Sequence, residues 1–259
     1  MQFPVHLPLG PLRLHPHWVF EGLAYAIGFR VYLRLRRRQG DAIDEGARWW
    51  VVAATAVGAA LGSKALYWFE EPRLTWSHLS DPFYLMAGKT IVGGLIGGLA
   101  AVEWAKKQLG LKRRTGDLFA VPLCVGIAIG RIGCFLTGPQ DHTSGTPTAL
   151  PWGINFGDGV GRHPVQLYEI SFLIALTAVL WRWSLRPHAE GDLFKGFMAG
   201  YMGFRLLVDF LKPDVRVALG LSSIQWACVG VLLYYSRDIW RWLPTRRAGE
   251  PATVAGQAD

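Results

Sequence analysis

The chain is poor in cysteine. Cys124, Cys134 and Cys228 are all it has in 259 residues, each within an apolar run and none at metal-ligand spacing from another. They read as buried free thiols, and no local pattern calls for a metal or any other cofactor. Acidic residues are scarce beside basic ones, 19 against 27, which leaves a formal net charge of +8 and a pI of about 9.6. A cleavable signal peptide is missing, because residues 1–17 carry Pro4, Pro8, Gly10, Pro11 and Pro16 and no uninterrupted apolar core. The first apolar run then has to act as its own insertion signal. Internal repeats and low-complexity tracts are also absent, and with them the inverted repeats that mark many transporters. The last dozen residues, AGEPATVAGQAD, read as a flexible tail.

What the chain has in excess is apolar length. Hydrophobic residues make up 51%, with 12 Trp and 31 Gly and a mean hydropathy of +0.22. A soluble domain of this size does not need so many long apolar runs, so the composition points to an integral membrane protein. The runs fall at about 18–33, 49–69, 83–105, 117–136, 166–183, 193–211 and 220–236. As helices, each covers most of a hydrocarbon layer ~30 Å thick, which takes roughly 20 residues. Repeated glycines inside them favour close helix packing over a lipid-facing β-barrel. The expected fold is all-α, with seven transmembrane helices.

Basic residues alternate between the connecting segments. Arg34, Arg36, Arg37, Arg38 and Arg48 follow the first run, and Lys106, Lys107, Lys112, Arg113 and Arg114 follow the third. Arg182, Arg186 and Lys195 follow the fifth, and Arg237, Arg241, Arg246 and Arg247 follow the seventh. The opposite side has only Arg13, Arg73, Arg162, Lys212 and Arg216. This asymmetry predicts an external N-terminus, an external loop over 137–165 and a cytoplasmic C-terminus. Basic clusters facing anionic lipid account for the pI without nucleic-acid binding.

Five basic residues remain, within or at the edges of the runs: Arg30, Lys64, Lys89, Arg131 and Arg205. Arg30 is expected to snorkel toward the cytoplasmic face, and the other four are candidates for an internal polar cavity. Arg131 lies in CVGIAIGRIGCFL, where a charge at membrane depth costs roughly 2.5–3.5 kcal/mol on insertion scales and usually lines a polar site. Snorkelling is the alternative for Arg131 as well. Gly130 and Gly133 flank it, leaving room for a headgroup or another helix to approach the backbone. Asp209 follows Arg205 by four residues, so the two share a helical face, either as a functional pair or as a lock between helices.

Short motifs follow in a fixed order: HWVFEGLAYAIGF, GGLIGG, TGDLFAVPLCVGIAIGRIGCF, RHPVQLYE, GDLFKGFMAGYMGFRLLVDFLKPD and LSSIQW. The series resembles the prolipoprotein diacylglyceryl transferases, seven-span enzymes of the bacterial inner membrane, over roughly residues 17–235. The resemblance implies transfer of a diacylglyceryl group from phosphatidylglycerol to the thiol of a lipobox cysteine in a prolipoprotein precursor, with release of glycerol phosphate. It implies that Arg131, Arg205 and Asp209 belong to the catalytic set, with Asp209 where the family usually has Glu. Tyr25, Tyr201 and Gly145 match the family's substrate-binding positions, although either tyrosine also fits an interfacial belt.

The sequence departs from the family where the acceptor's proton would be handled. Val92 replaces a histidine of the third span, Cys134 replaces an asparagine after the arginine motif, and Lys64 replaces a second-span arginine. Extra residues enter the loop before Gly145. His142, beside Asp141, is the expected replacement base, with His163 as a second loop histidine near the acceptor; an exposed loop histidine that is merely solvated is the alternative. The expected organisation is an external segment over 1–16, a transferase domain over 17–240 and a cytoplasmic tail over 241–259. Two rivals remain: a paralogue using the same lipid with another acceptor, and a non-catalytic lipid-binding or transport protein on the same scaffold.

Overall fold

A computed structural model describes residues 3–41 and 43–242, so nearly all of the expected tail, including its last dozen residues, lies outside the described residues. Among the described residues the protein is helical apart from two short antiparallel hairpins and isolated bridges. The first, β1 (Leu7–Leu9) with β2 (Leu12–Leu14), precedes the helices. The second, β3 (Ile154–Asn155) with β4 (Gly161–Arg162), lies in the loop before α7. The helices are α1 (Pro16–Gln39), α2 (Glu45–Trp68), α3 (Pro72–Ser77), α4 (Pro82–Met86), α5 (Ile91–Gln108), α6 (Asp117–Thr137), α7 (Val165–Ser184), α8 (Asp192–Val208), α9 (Ser223–Tyr234) and α10 (Ser236–Trp242). Seven of them, α1, α2 and α5 to α9, correspond in order to the seven apolar runs. Three segments among the described residues, Glu45–Trp68, Asp117–Asp141 and Val165–Ser184, are long and apolar enough to cross a membrane.

The run at 83–105 is not one helix. Gly88 turns the chain at φ +58°, and Thr90 starts α5 afresh by accepting from Gly93 N at 3.2 Å. The carbonyls freed at the end of α4 turn to Lys64 Nζ, which donates to Met86 O, to Ala87 O at 3.1 Å and to Gly88 O at 2.6 Å. Lys64 is therefore spent on backbone carbonyls next to α4. Lys89 is also accounted for, half-exposed and paired with Glu21 at 2.5 Å.

Packing follows the small residues. α2 and α5 meet through Gly58 and Gly62 against Gly93 and Gly97, where a Cβ would strike the opposing backbone. α1 lies along α6, which also packs on α7 and α8, and α9 closes against α8. The buried core joins Tyr32, Val92, Cys124, Leu173, Phe197, Met202 and Cys228. All three cysteines are free and buried. Large apolar side chains such as Val57, Leu61, Ile174, Val179 and Leu207 face outward, as lipid-facing helices require. Asp117, at the start of α6, caps the neighbouring α8 by accepting from Gly191 N at 2.7 Å and Phe194 N at 3.0 Å. That contact fixes the level at which α8 stands beside α6.

Candidate active site

α6, α7 and α8 each turn ionisable side chains toward one point in the interior. Arg131 comes from α6 and Glu169 from the second turn of α7. Tyr201, Arg205 and Asp209 recur every four residues along α8 and the 3₁₀ turn that follows it, so they share one face. All five are buried, Tyr201 and Asp209 completely. Glu169 joins them. Its Oε2 lies 2.9 Å from Arg131 Nε and 3.3 Å from Arg205 Nη1, and its Oε1 accepts the Tyr201 hydroxyl at 2.6 Å. Arg205 Nη2 reaches Asp209 Oδ1 at 2.8 Å, and Asp209 Oδ2 accepts from Ser222 Oγ at 2.8 Å. Buried charges stay ionised when they are paired and hydrogen-bonded in this way. Arg205 Nε has no acceptor among the described residues although it is buried, so the network keeps a donor free for a ligand.

More charge gathers where α8 ends. Lys212 Nζ lies 2.9 Å from Asp214 and 3.9 Å from Asp209. Arg216 donates to Gln225 Oε1 at 2.7 Å and to the Asp209 carbonyl at 3.0 Å. Glu70, just past α2, is close enough to Lys212, Asp214, Asp209 and Arg205 to feel their charges. Burial raises its carboxyl to about 7 despite the lysine nearby.

The other expected site residues are more scattered. Gly145 is held in the loop by its N–H to His163 O at 3.1 Å, and a Cβ there would press on His163 at 2.6 Å. His163 Nδ1 in turn faces the Tyr168 hydroxyl at 3.3 Å. His142 is exposed in the left-handed region, at φ +53°, with no side-chain hydrogen bond among the described residues. Tyr25 is 71% exposed on the outside of α1, its hydroxyl 3.4 Å from Glu21, so the structure does not bring it to the arginines. Gly130 leaves its surroundings open, whereas Gly133 is where α1 leans on α6, with Phe20 Cβ only 2.8 Å from a Cβ built there.

That close approach sets His17 beside the end of α6. His17 Nδ1 is 3.0 Å from Asp141 Oδ1, and ligand-type atoms of His17, Cys134 and Asp141 all lie within 4.8 Å of one another. Arg131 Nη1 donates to Cys134 Sγ at 3.7 Å, linking this group to the arginine network. Asp141 therefore pairs with an imidazole, but with that of His17 instead of its neighbour His142.

Glu169, Glu70 and His17 were not singled out in the sequence. Glu169 ends the RHPVQLYE motif and is a carboxylate one turn into an apolar run, a signal of the same kind as Arg131. Glu70 and His17 stand at run edges among other polar residues and gave no such signal.

The sequence model of the prolipoprotein diacylglyceryl transferase family matches residues 4–237 of the chain. The phosphatidylglycerol–prolipoprotein diacylglyceryl transferase of Bordetella parapertussis is 36% identical over 247 residues, covering 89% of this chain and 91% of the relative. The enzyme of the same name from Cupriavidus pinatubonensis is 32% identical over 278 residues, covering 98% and 97%. That from Paracidovorax citrulli is 30% identical over 258 residues, covering 89% and 94%.

Proposed function

The chain belongs to the prolipoprotein diacylglyceryl transferase family and is a transferase of lipoprotein biosynthesis, and from that premise we propose that Arg131 and Arg205 hold the phosphate of phosphatidylglycerol while a lipobox thiol displaces it. The observation that carries this assignment is the shared carboxylate. Glu169 holds two guanidinium groups together that would otherwise repel, and so presents both to one anion. Bidentate guanidinium contacts suit a phosphate that gains charge as it leaves, and they act more strongly where water is excluded.

The local charge balance supports an anionic ligand. Arg131, Arg205, Lys212 and Arg216 stand against Glu169, Asp209 and Asp214, one positive charge in excess while Glu70 is protonated. A phosphodiester brings the single negative charge that neutralises it. In the transfer the thiol gives up its proton, its sulfur bonds to the glycerol carbon, the carbon–oxygen bond to phosphate breaks, and glycerol phosphate leaves with the electron pair, the released proton being taken up by solvent or by that phosphate. Tyr201 steadies Glu169, and Asp209 steadies Arg205. Gly145 and His163 shape the loop through which the acceptor reaches the site.

The alternation of basic segments supports seven spans in a bacterial inner membrane, with residues 1–16 and the 137–165 loop outside and residues 241–259 in the cytoplasm. Complementation of a strain lacking its own transferase, read by the mobility shift of a model prolipoprotein, tests the assignment. The wild-type chain restores the shift. Arg131→Lys fails almost as badly as Arg131→Ala, because lysine lacks the planar fork, while thermal unfolding in detergent changes less than activity. Equal loss of fold and activity would make the arginines structural.

A further inference from the structure

For the transfer to proceed, the acceptor thiol has to become a thiolate. With a pKa near 8.5, a free thiol is only slightly ionised at neutral pH. His17, Cys134 and Asp141 lie beside Arg131 and combine an imidazole, a thiol and a carboxylate, a mixed set suited to Zn²⁺ and poorly suited to Mg²⁺ or Ca²⁺. They come from the start of α1, the end of α6 and the turn after it, so no sequence motif announces them.

Three features set this group apart from a chance cluster. His17 Nδ1 is buried and stands 3.0 Å from Asp141 Oδ1, so the edge of the imidazole and the carboxylate meet at one point. Each member also has an outer partner: Glu21 Oε2 stands 3.6 Å from His17 Nε2, Thr143 Oγ1 donates to Asp141 Oδ2 at 2.9 Å, and Arg131 Nη1 donates to Cys134 Sγ at 3.7 Å. A carboxylate on the far ring nitrogen and a hydrogen bond on the free carboxylate oxygen are the supports that metal ligands normally have. Finally, Gly133 lets α1 come close enough to α6 for His17 to reach Cys134.

We propose that His17, Cys134 and Asp141 bind Zn²⁺ through three ligands and leave the fourth position to the acceptor thiol, whose ionisation the metal favours. This rests on the transferase function assigned above. The acceptor R–SH binds zinc as R–S⁻ and releases its proton to water. The thiolate sulfur then forms the bond to the glycerol carbon of phosphatidylglycerol, the carbon–oxygen bond breaks, and glycerol phosphate leaves with the electron pair toward Arg131 and Arg205. The thioether product is a weak ligand and departs.

The test uses the full-length enzyme purified in detergent, stripped with a chelator and titrated with Co²⁺ and then Zn²⁺. A near-ultraviolet thiolate-to-cobalt charge-transfer band is expected, displaced by Zn²⁺, absent in Cys134→Ala and weakened in Asp141→Asn. Stripped enzyme should modify prolipoprotein at least about a hundredfold more slowly and recover with Zn²⁺, the scale of losing a general base. Thermal unfolding of each variant separates loss of the site from loss of the fold. Absence of the band, with stripped wild-type enzyme transferring at full rate, overturns the zinc site and leaves the arginine assignment standing. A zinc-displaced cobalt band in an enzyme that never modifies prolipoprotein, with or without metal, supports the site and sinks the transferase assignment instead.

Discussion

Arg131 and Glu169 stand 2.9 Å apart across the contact between α6 and α7, and Arg205 reaches the same carboxylate oxygen from α8. One buried carboxylate thus aligns two buried cations and ties three helices together. Glu169→Gln is expected to leave two guanidinium groups facing each other with one counter-charge, Asp209, on the far side of Arg205. Breaking a buried pair this way costs about 3–5 kcal/mol, so thermal unfolding in detergent should shift strongly and prolipoprotein modification should vanish. Tyr201→Phe removes only one hydrogen bond to that carboxylate and should cost about 1.5–3 kcal/mol, with part of the activity kept. Equal effects of the two changes would mean that Glu169 does not hold the arginines.

The pH dependence should pass through Glu70. Its carboxyl, raised by burial to about 7, is protonated below that pH and ionised above it. A raised acid pKa contributes stability that is complete below the unfolded value and is lost as pH rises through the folded one. Ionisation also removes the site's excess positive charge. Phosphatidylglycerol binding and transfer should therefore fall as pH climbs through 7, and Glu70→Gln should flatten that limb. An unchanged profile in Glu70→Gln would place the titration elsewhere.

The two histidines near the acceptor's path make opposite predictions. His17→Ala should lower transfer by about 10²–10⁴-fold, because it removes a group positioned beside Cys134 and Asp141. His142→Ala should stay within a few fold of wild type, since that ring is exposed and has no hydrogen-bond partner among the described residues. Rates measured on purified protein with a lipobox peptide decide it. A large loss in His142→Ala alone would return the proton to the loop histidine.

Orientation is open to direct labelling. Ala149 is exposed in the loop that carries Gly145 and His163. An Ala149→Cys reporter should react with a membrane-impermeant maleimide on intact spheroplasts. Reaction only after permeabilisation would invert the topology.

Much of the helical plan was legible in the chain, because each apolar run carries its own solvation demand. In lipid a backbone can satisfy its hydrogen bonds only by coiling on itself, so length and hydropathy suffice to announce a helix. Arg131, Arg205 and Asp209 were legible for the same reason, since charge inside such a run stands out. The break between α4 and α5 was not, because it depends on Lys64 reaching three carbonyls from another helix. Nor was Glu169 as the shared counter-ion, for pairing is set by which faces of α6, α7 and α8 meet. His17, Cys134 and Asp141 make the point most sharply. Nothing in the sequence linked His17 to the other two, and only the approach of α1 to α6 over Gly133 put an imidazole, a thiol and a carboxylate within reach of one another. Local chemistry is written residue by residue, but which groups share a site depends on helix packing, a property of pairs of surfaces that no single segment encodes.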